Sequence, residues 1–195
     1  MTAKFHWILD NGHGNDTPGK RSPVLPDGRQ FFEYEFNRAV VSRLKGKLDT
    51  AGLQSTILVP EQHDISLPER VRRANSLQST LPLFFISVHS NAFGNAGFSA
   101  PRGIETFYYT GSVKGRALAE VFQKHLLAHT GWKDRKVKEA EFYVIKNSAM
   151  PAVLTENGFY TNLEECELLL DDSWREKIAS AHFDAILELE NTNHL

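Results

Sequence analysis

Cysteine is almost absent from the sequence, since Cys166 is the one thiol among 195 residues. The chain therefore forms no internal disulfide and suits a reducing compartment. Long apolar runs are missing too. The N-terminus has neither the apolar core nor the small-residue cleavage site of a signal peptide, and no run is long enough to span a bilayer. We therefore expect a protein that is made and retained in the cytoplasm, with no membrane partner, unless another factor releases it.

A strong charge of either sign is also missing, because the formal net charge is −2. No overall basic field attracts nucleic acid or anionic lipid, and we expect neither as a partner. The composition, 41% hydrophobic and 24% charged, is that of an ordinary globular protein. The chain is long enough to bury a core without disulfides or structural metals. The sequence shows no repeat or linker, so we predict one domain over residues 1–190 and a loose tail over residues 191–195. We also expect a monomer.

What is present is an alternation of short apolar runs with longer segments of helical period. The runs predict about six strands, and the segments between them predict helices that cover both faces of a sheet. The fold class is therefore α/β, a single domain with one twisted sheet that is mostly parallel or mixed. The predicted strands are residues 5–9, 56–59, 83–88, 103–109, 142–145 and 152–156.

Capping residues mark the boundaries of the predicted helices. An S-x-x-E pattern that begins at Ser66 opens one helix, and a similar pattern that begins at Asn162 opens another. Glycines mark two helix ends, at Gly52 and Gly131. The buried stripe of the last helix is predicted to consist of Ile178, Ala181, Ala185, Ile186 and Leu189.

The stretch ILDNGHGNDTPGKRS, residues 8–22, can be interpreted in two ways. Gly14, followed after four residues by Gly19 and Lys20, resembles a phosphate-binding P-loop. That motif needs a serine or threonine after the lysine and a helix directly behind it. Here Arg21 follows, and nearby prolines remove a backbone donor and delay the helix. The phosphate interpretation is therefore rejected.

A metal site is the other interpretation. His13 directly follows the first predicted strand, and His89 follows the apolar strand 83–88 in the same way. Ligands of open α/β sheets gather at the carboxyl ends of strands, so these histidines can converge. A catalytic zinc commonly takes two histidines and one carboxylate and leaves one position open for water. The third ligand is then Glu33 or Glu35, although either could simply be an acid favoured at a helix N-terminus.

A second histidine pair competes for the metal. His125 and His129 lie four residues apart on a predicted helix, the spacing of H-E-x-x-H zinc proteases, but the general-base glutamate is missing. We therefore interpret this pair as a solvated helix edge. The remaining histidines, which have no acidic or histidine context and are expected to be structural or on the surface, are His6, His63, His182 and His194.

Glu156 ends a predicted apolar strand within MPAVLTENGFYTN, residues 150–162. A carboxylate that emerges from a buried strand is costly unless it has a partner or a task. Beside a metal, it would be placed to take a proton from bound water. The alternative is a structural salt bridge, and we favour the catalytic role.

Six segments, taken in order, resemble the zinc-dependent N-acetylmuramoyl-L-alanine amidases of the type-3 amidase family, which cut peptidoglycan. The segments are LDNGHGNDTPG, EYEFNRAVVSRL, PERVRRAN, FFISVHSNA, GIETFYY and MPAVLTENGFYTN. Each segment alone is weak evidence for the family, but six segments in family order over nearly the whole chain are highly specific for it. One departure is Asn157, which stands beside the predicted base where many members carry a different small or polar residue.

The resemblance implies a sheet of about six strands with flanking helices, in agreement with the strand count. It implies zinc bound by His13, Glu33 and His89, since the family's glutamate ligand is followed four residues later by asparagine, as Glu33 is by Asn37. Glu156 is then the catalytic carboxylate. The implied reaction is hydrolysis of the amide between the lactyl group of muramic acid and L-alanine of the stem peptide, by a phage-type lysin or an exported bacterial enzyme. No cofactor besides zinc is implied.

Two other classes of protein are open to test. A peptidoglycan carboxypeptidase would need a cation to hold a substrate carboxylate, and Arg21, Arg102 and Lys146 are the unassigned candidates. A catalytically inactive wall-binding module is the other class, and the presence of all four proposed site residues argues against it.

Overall fold

The computed structural model describes residues 2–94 and 97–192, which fold around one sheet of six strands. The strands are β1 (His6–Asn11), β2 (Gln54–Ile57), β3 (Leu83–Asn91), β4 (Ile104–Tyr109), β5 (Asp134–Ala140) and β6 (Ala152–Phe159). They lie in the order β2-β1-β3-β6-β4-β5. The predicted single α/β domain with a six-stranded sheet is confirmed.

Most neighbouring strands are parallel. β1 pairs in parallel with both β2 and β3, and β3 pairs in parallel with β6. β4 runs antiparallel to β6, while it pairs in parallel with β5. The sheet is therefore mixed, and the carboxyl ends of β1, β3 and β6 lie side by side at one edge.

Helices cover both faces of the sheet, as predicted. They are α1 (Glu33–Thr50), α2 (Leu67–Ser76), α3 (Val113–Thr130), α4 (Tyr143–Asn147), α5 (Leu163–Leu170) and α6 (Asp172–Asn191). On one face α1, α3, α5 and α6 pack over the larger apolar core. On the other face α2 and α4 pack over a smaller apolar cluster. A cavity lies beside these two helices.

Capping residues act where the sequence predicts them. The Ser66 side chain accepts a hydrogen bond from the backbone N–H of Glu69 (3.4 Å), and Asn162 accepts one from Glu165 (3.1 Å). Gly131 follows α3 in the left-handed conformation (φ 66°), which favours glycine. These residues define the starts of α2 and α5 and the end of α3.

One of the six predicted strands is wrong. Phe142 is instead the N-cap of the short helix α4, which begins at Tyr143. Val144 and Ile145 are buried, while Phe142 and Tyr143 stay exposed. The sixth strand is instead β5, whose sequence DRKVKEA is mostly charged. β5 lies at the edge of the sheet, and an edge strand does not need the continuous apolar run of a strand buried on both faces.

The larger core supports the sheet beneath α1, α3 and α6. Trp7 and Phe84 stack there with ring centroids 5.3 Å apart, and Phe36 and Phe122 are fully buried in the same cluster. The indole N–H of Trp7 donates to the carboxylate of Glu190 (2.8 Å), which joins β1 to the end of α6. Polar residues of the sheet on this face, such as Thr106 and Thr155, are buried and hydrogen-bonded to side chains of α3 and α6.

His182 of α6 is fully buried in this core. Its Nδ1 lies 2.8 Å from the carbonyl oxygen of Ile178, and its Nε2 lies 3.0 Å from the Thr155 hydroxyl. Burial lowers the pKa of His182 to about 4. The unfolded chain instead protonates this histidine at an ordinary pKa of about 6.5. His182 is therefore a structural residue that is neutral in the folded protein.

The metal-free protein should lose stability as the pH falls from about 6.5, the pKa of His182 in the unfolded chain, to about 4, its pKa in the folded protein. The contribution of His182 is fully present above about pH 6.5 and is lost progressively towards about pH 4, with a loss of about 2 kcal/mol between pH 7 and pH 5. Urea unfolding of wild type and His182→Gln at these two pH values measures it, and His182→Gln should lose less. The exposed control His63→Gln should behave like wild type. The same pH dependence in all three proteins would contradict this expectation.

The last helix, α6, includes Asn191, and residues 193–195 of the predicted tail lie outside the described residues. The boundary between domain and tail stays a prediction. Among the described residues, no helix is both long enough and apolar enough to cross a bilayer.

Candidate metal centre

The Gly-His-Gly turn after β1 packs too closely for larger residues. A Cβ on Gly12 would lie 2.1 Å from the His89 ring, and one on Gly14 would lie 2.0 Å from the backbone nitrogen of Asp64. Between these glycines, His13 adopts a left-handed backbone conformation (φ 63°). The turn therefore brings the imidazoles of His13 and His89 together, with ring centroids 4.9 Å apart.

Glu33 reaches both histidines from the start of α1. Its Oε2 lies 3.3 Å from His13 Nε2, and its Oε1 lies 3.0 Å from His89 Nδ1. The backbone N–H of Ser90 also donates to Oε1 (3.2 Å). Glu33 is 1% exposed, whereas Glu35, the other glutamate considered, faces solvent. The structure thus brings together the two predicted histidines and the glutamate that the family resemblance favours.

These three side chains form a group that could hold a metal ion. One ligand-type atom from each of His13, Glu33 and His89 lies within 4.8 Å of the others. Ligands of tetrahedral zinc lie roughly 3.4 Å apart, so small side-chain shifts would bring these atoms into range. Within the described part of the chain, the 3.3 Å contact with His13 Nε2 is the one polar contact of buried Glu33 Oε2. A cation here would complete the contacts of this oxygen.

The pKa shifts of the group suit a metal site. Burial lowers the pKa of His13, which leaves this ring neutral near pH 7. Burial alone would raise the pKa of Glu33, but hydrogen bonds from both histidines outweigh it and hold that pKa well below its usual range. For His89, burial lowers the pKa, but contact with the Glu33 carboxylate outweighs burial and raises it. A metal ligand must be the neutral imidazole, so a bound metal would oppose this rise.

Two buried asparagines hold the backbone around the group. Asn37, one turn after Glu33 on α1, donates to the carbonyl oxygen of Gly12 (3.0 Å). Asn157 of β6 donates to the carbonyl oxygen of His89 (2.9 Å). Both asparagines are fully buried, so these hydrogen bonds do not compete with bulk water. They position the turn and the strand that carry the two histidines.

Glu156 lies beside this group on β6, directly opposite His89 in the parallel register. Its Oε2 is buried and has no hydrogen-bond partner among the described residues, which argues against a structural salt bridge. Burial raises the pKa of Glu156 to about 8; His89 opposes this shift, while the charges of Glu33 and Glu105 add to it. Such a carboxylate accepts a proton readily.

Glu105 of β4 continues the same row, since it lies opposite Glu156 on the other side of β6. This carboxylate is engaged: Asn91 donates to it, Arg135 lies 3.1 Å away, and Lys138 forms a further ion pair. The two neighbouring glutamates therefore differ in chemistry. The charge of Glu105 is balanced by two cations, whereas Glu156 has no such partner and can exchange a proton.

A cavity of about 370 Å³ opens next to these residues, on the face of the sheet that α2 and α4 cover. The two histidines and Glu156 lie in its wall. The exposed apolar side chains at its margin are Leu67, Phe142 and Tyr143. A cavity that combines convergent polar groups with apolar side chains is typical of sites for organic substrates.

Sequence reasoning missed four charged residues that also line the cavity: Asp10, Lys20, Asp64 and Arg70. Buried Arg70 donates to Asp10 (2.6 Å), to Asp64 (2.9 Å) and to the carbonyl oxygen of Ile65 (2.7 Å). It thereby joins α2 to β1 next to the Gly-His-Gly turn. A charged residue at the end of an apolar strand, as at Asp10, is the signal that could have indicated this pair.

The cations proposed for a substrate carboxylate do not lie in the cavity wall. Arg102 pairs with Glu164 (3.2 Å), and Lys146 pairs with Glu141 (2.6 Å), both at exposed positions. Arg21 is exposed and lines an adjoining groove. Of the three, only Arg21 is near the proposed site.

The competing histidines form a second group with metal-binding geometry, together with Asp184. Each ring there already has an acidic partner, His125 with Glu188 (2.7 Å) and His129 with Asp184 (2.8 Å). This group lies between α3 and α6, on the face of the sheet opposite the cavity. A partly solvated helix edge remains the better interpretation of this pair.

Comparisons with known proteins agree with this geometry. A family model described as N-acetylmuramoyl-L-alanine amidase matches residues 8–188. The N-acetylmuramoyl-L-alanine amidase LytC of Bacillus subtilis (strain 168) is 36% identical over 179 residues, which cover 91% of this chain and 34% of LytC. The endolysin of Bacillus phage SPP1 is 33% identical over 193 residues, which cover 97% of this chain and 67% of the endolysin.

The chain therefore spans about a third of the length of LytC. Among solved structures, the N-acetylmuramoyl-L-alanine amidase from Clostridium difficile 630 is similar with a TM-score of 0.85 and 27% sequence identity, over 98% of each chain. This likeness extends over the whole sheet and its flanking helices.

Proposed function

Because the chain belongs to the N-acetylmuramoyl-L-alanine amidase family, we propose that it is a zinc-dependent amidase of peptidoglycan. The bond cleaved is the amide between the lactyl group of muramic acid and L-alanine of the stem peptide. The observation that carries this proposal is the buried group of His13, Glu33 and His89 beside Glu156. No cofactor besides zinc is needed.

His13, Glu33 and His89 would hold the zinc ion, since two imidazoles and one carboxylate are a common donor set of catalytic zinc. When bound, zinc lowers the pKa of its water to about 7 and polarises the scissile carbonyl. Asn37 and Asn157 keep the histidine backbones in place, so the donor atoms are preorganised.

Glu156 would move the proton in this reaction. As general base it takes a proton from the attacking water, and as general acid it delivers that proton to the leaving nitrogen of L-alanine. Burial raises the pKa of Glu156 in the metal-free protein, and a raised pKa suits a carboxyl group that must carry a proton to the leaving nitrogen. Glu105, its neighbour in the sheet, is unsuited to this task because cations already neutralise it.

Analysis of digestion products separates this proposal from the two alternative classes. The amidase releases intact stem peptides from muramic acid, as mass spectrometry of digested muropeptides would show. A carboxypeptidase releases single C-terminal residues and leaves the peptide attached to muramic acid. An inactive wall-binding module releases neither product.

Removal of the metal should abolish activity and leave the fold intact. The apolar cores on both faces of the sheet should be stable without a structural metal. We expect a chelator to stop the release of stem peptides while the far-UV circular dichroism spectrum hardly changes, and we expect added zinc to restore activity. Cooperative unfolding on addition of the chelator would show that the metal is structural instead.

The chain is further proposed to act on the cell wall as a monomer. All residues of the site lie on one chain, which supports the monomer, and light scattering tests it. Similarity to the endolysin of Bacillus phage SPP1 supports a phage-type lysin, and we propose that it reaches the wall through a separate membrane pore. If so, expressing cells should lyse when a pore-forming protein is co-expressed and should stay intact without it.

A further inference from the structure

Lys20 lies in the wall of the catalytic cavity, on the loop between β1 and α1. The loop is anchored at this point. The carbonyl oxygen of Lys20 accepts the backbone N–H of Glu33 (3.0 Å), and Arg21 pairs with Phe32 in an isolated β-bridge. The contact that positions Glu33 in the metal group therefore also positions Lys20 beside that group.

The two cations of the cavity wall differ in their contacts. Arg70 is engaged by Asp10, by Asp64 and by backbone carbonyl oxygens. Within residues 2–94 and 97–192, no hydrogen bond or ion pair involves the ammonium group of Lys20. Its side chain is half-buried in the cavity wall, and its ammonium group has no partner among these residues. An anion in the cavity would supply that partner.

Lys20 shares the cavity wall with the proposed reacting groups. The same cavity of about 370 Å³ is lined by His13, His89 and Glu156. An anion bound by Lys20 inside this cavity would therefore lie in the space that also takes the scissile amide.

A second cation extends the positive charge outwards. Lys20 also lines an adjoining groove of about 550 Å³, together with Arg21, Tyr160 and Thr161. Arg21 is exposed there, and its guanidinium forms no ion pair within the described part of the chain. The loop thus presents two consecutive cations where the catalytic cavity meets the groove. A peptide that extends from one into the other passes both.

We infer that Lys20, supported by Arg21, binds a free carboxylate of the stem peptide close to the scissile amide. This inference rests on the proposed amidase function and adds a specificity determinant to it. The lysine ammonium is a compact charge that forms a charge-assisted hydrogen bond with a carboxylate. A peptide with a carboxamide in place of that carboxylate loses the ionic contact and should be cut less efficiently.

Two synthetic muramoyl peptides that differ only at the residue after L-alanine test this inference. One carries D-glutamate with a free α-carboxylate, and the other carries its α-amide, D-isoglutamine. We expect a wild-type kcat/KM roughly 10- to 100-fold higher on the carboxylate peptide, the range for one charge-assisted hydrogen bond. The difference should lie in KM, because the carboxylate takes no part in bond cleavage. Lys20→Met should abolish this difference between the two peptides, whereas Lys20→Arg, which keeps the positive charge, should retain most of it.

Lys114→Met is the matched control, because it removes a lysine charge from an exposed position on α3 and should keep the wild-type difference. An equal loss on both peptides in Lys20→Met would overturn the inference, since it would place the ammonium at the reacting carbonyl. Equal wild-type rates on both peptides would overturn it too, while the amidase function would stand. If zinc-loaded, folded wild type cuts neither peptide, the proposed function fails and the inference fails with it.

Discussion

Replacing Glu156 with glutamine should lower turnover by roughly 100-fold or more while the protein stays folded and keeps its zinc. Glutamine preserves the shape of the side chain but cannot accept a proton at neutral pH. General acid–base catalysis of this kind contributes roughly 10²- to 10⁴-fold to the rate. Since Glu156 Oε2 makes no hydrogen bond among the described residues, no stabilising contact of that oxygen is lost. The melting temperature should therefore not fall.

Turnover on muropeptides, zinc content and melting temperature, measured on one preparation, decide the role of Glu156. Glu35→Gln is the matched control, because it removes a carboxylate from an exposed position near the start of α1 and should behave like wild type. A structural salt bridge at Glu156 predicts the reverse pattern, with lower stability and unchanged activity per folded molecule. Release of stem peptides by Glu156→Gln at a near-wild-type rate would end the mechanism proposed here.

Replacing His13 with alanine should remove zinc and activity together without unfolding the protein. One of three proposed donors is lost. Substitution of a residue that only hydrogen-bonds to a metal donor already weakens metal binding roughly 10- to 100-fold. The loss of a donor itself should weaken it more. His13 lies on a turn outside both apolar clusters, so the core should keep its packing. Glu33→Gln weakens a donor and should also lower zinc occupancy, in contrast to Glu156→Gln.

Equilibrium dialysis against zinc, followed by metal analysis, measures this effect. His125→Ala is the control, because it removes a histidine from the other group with metal-binding geometry. It should retain both zinc and turnover. Loss of zinc from His125→Ala, together with normal zinc in His13→Ala, would move the metal centre to the surface between α3 and α6.

Much of the candidate site follows local rules that a sequence displays. His13 and His89 come at or near the carboxyl ends of buried strands, where the ligands of α/β sheets gather. That β3 lies between β1 and β6 is a long-range property, which appears only in the structure. The local pattern did not separate Glu33 from Glu35, because both are acids in the first turn of one helix. The family resemblance and then the structure favoured Glu33.

The errors of the sequence analysis also have physical causes. Aromatic and β-branched residues favour strands, which explains the wrong strand at 142–145. In the folded protein, burial of Val144 and Ile145 within a short helix prevails. The edge strand β5 was missed because its mostly charged sequence lacks an apolar run. Lys20 was set aside with the rejected P-loop, since its place beside Glu33 depends on a hydrogen bond between loop and helix.

The last strand along the chain, β6, enters the sheet between β3 and β4. During translation, the proposed zinc donors His13, Glu33 and His89 therefore leave the ribosome well before Glu156. In the folded sheet β6 is the strand that joins β3 to β4, so the sheet cannot be completed before β6 is made. A nascent chain, or one that ends prematurely before β6, has metal donors but no proton acceptor. The proposed catalytic group is therefore complete only when synthesis of the chain is nearly finished.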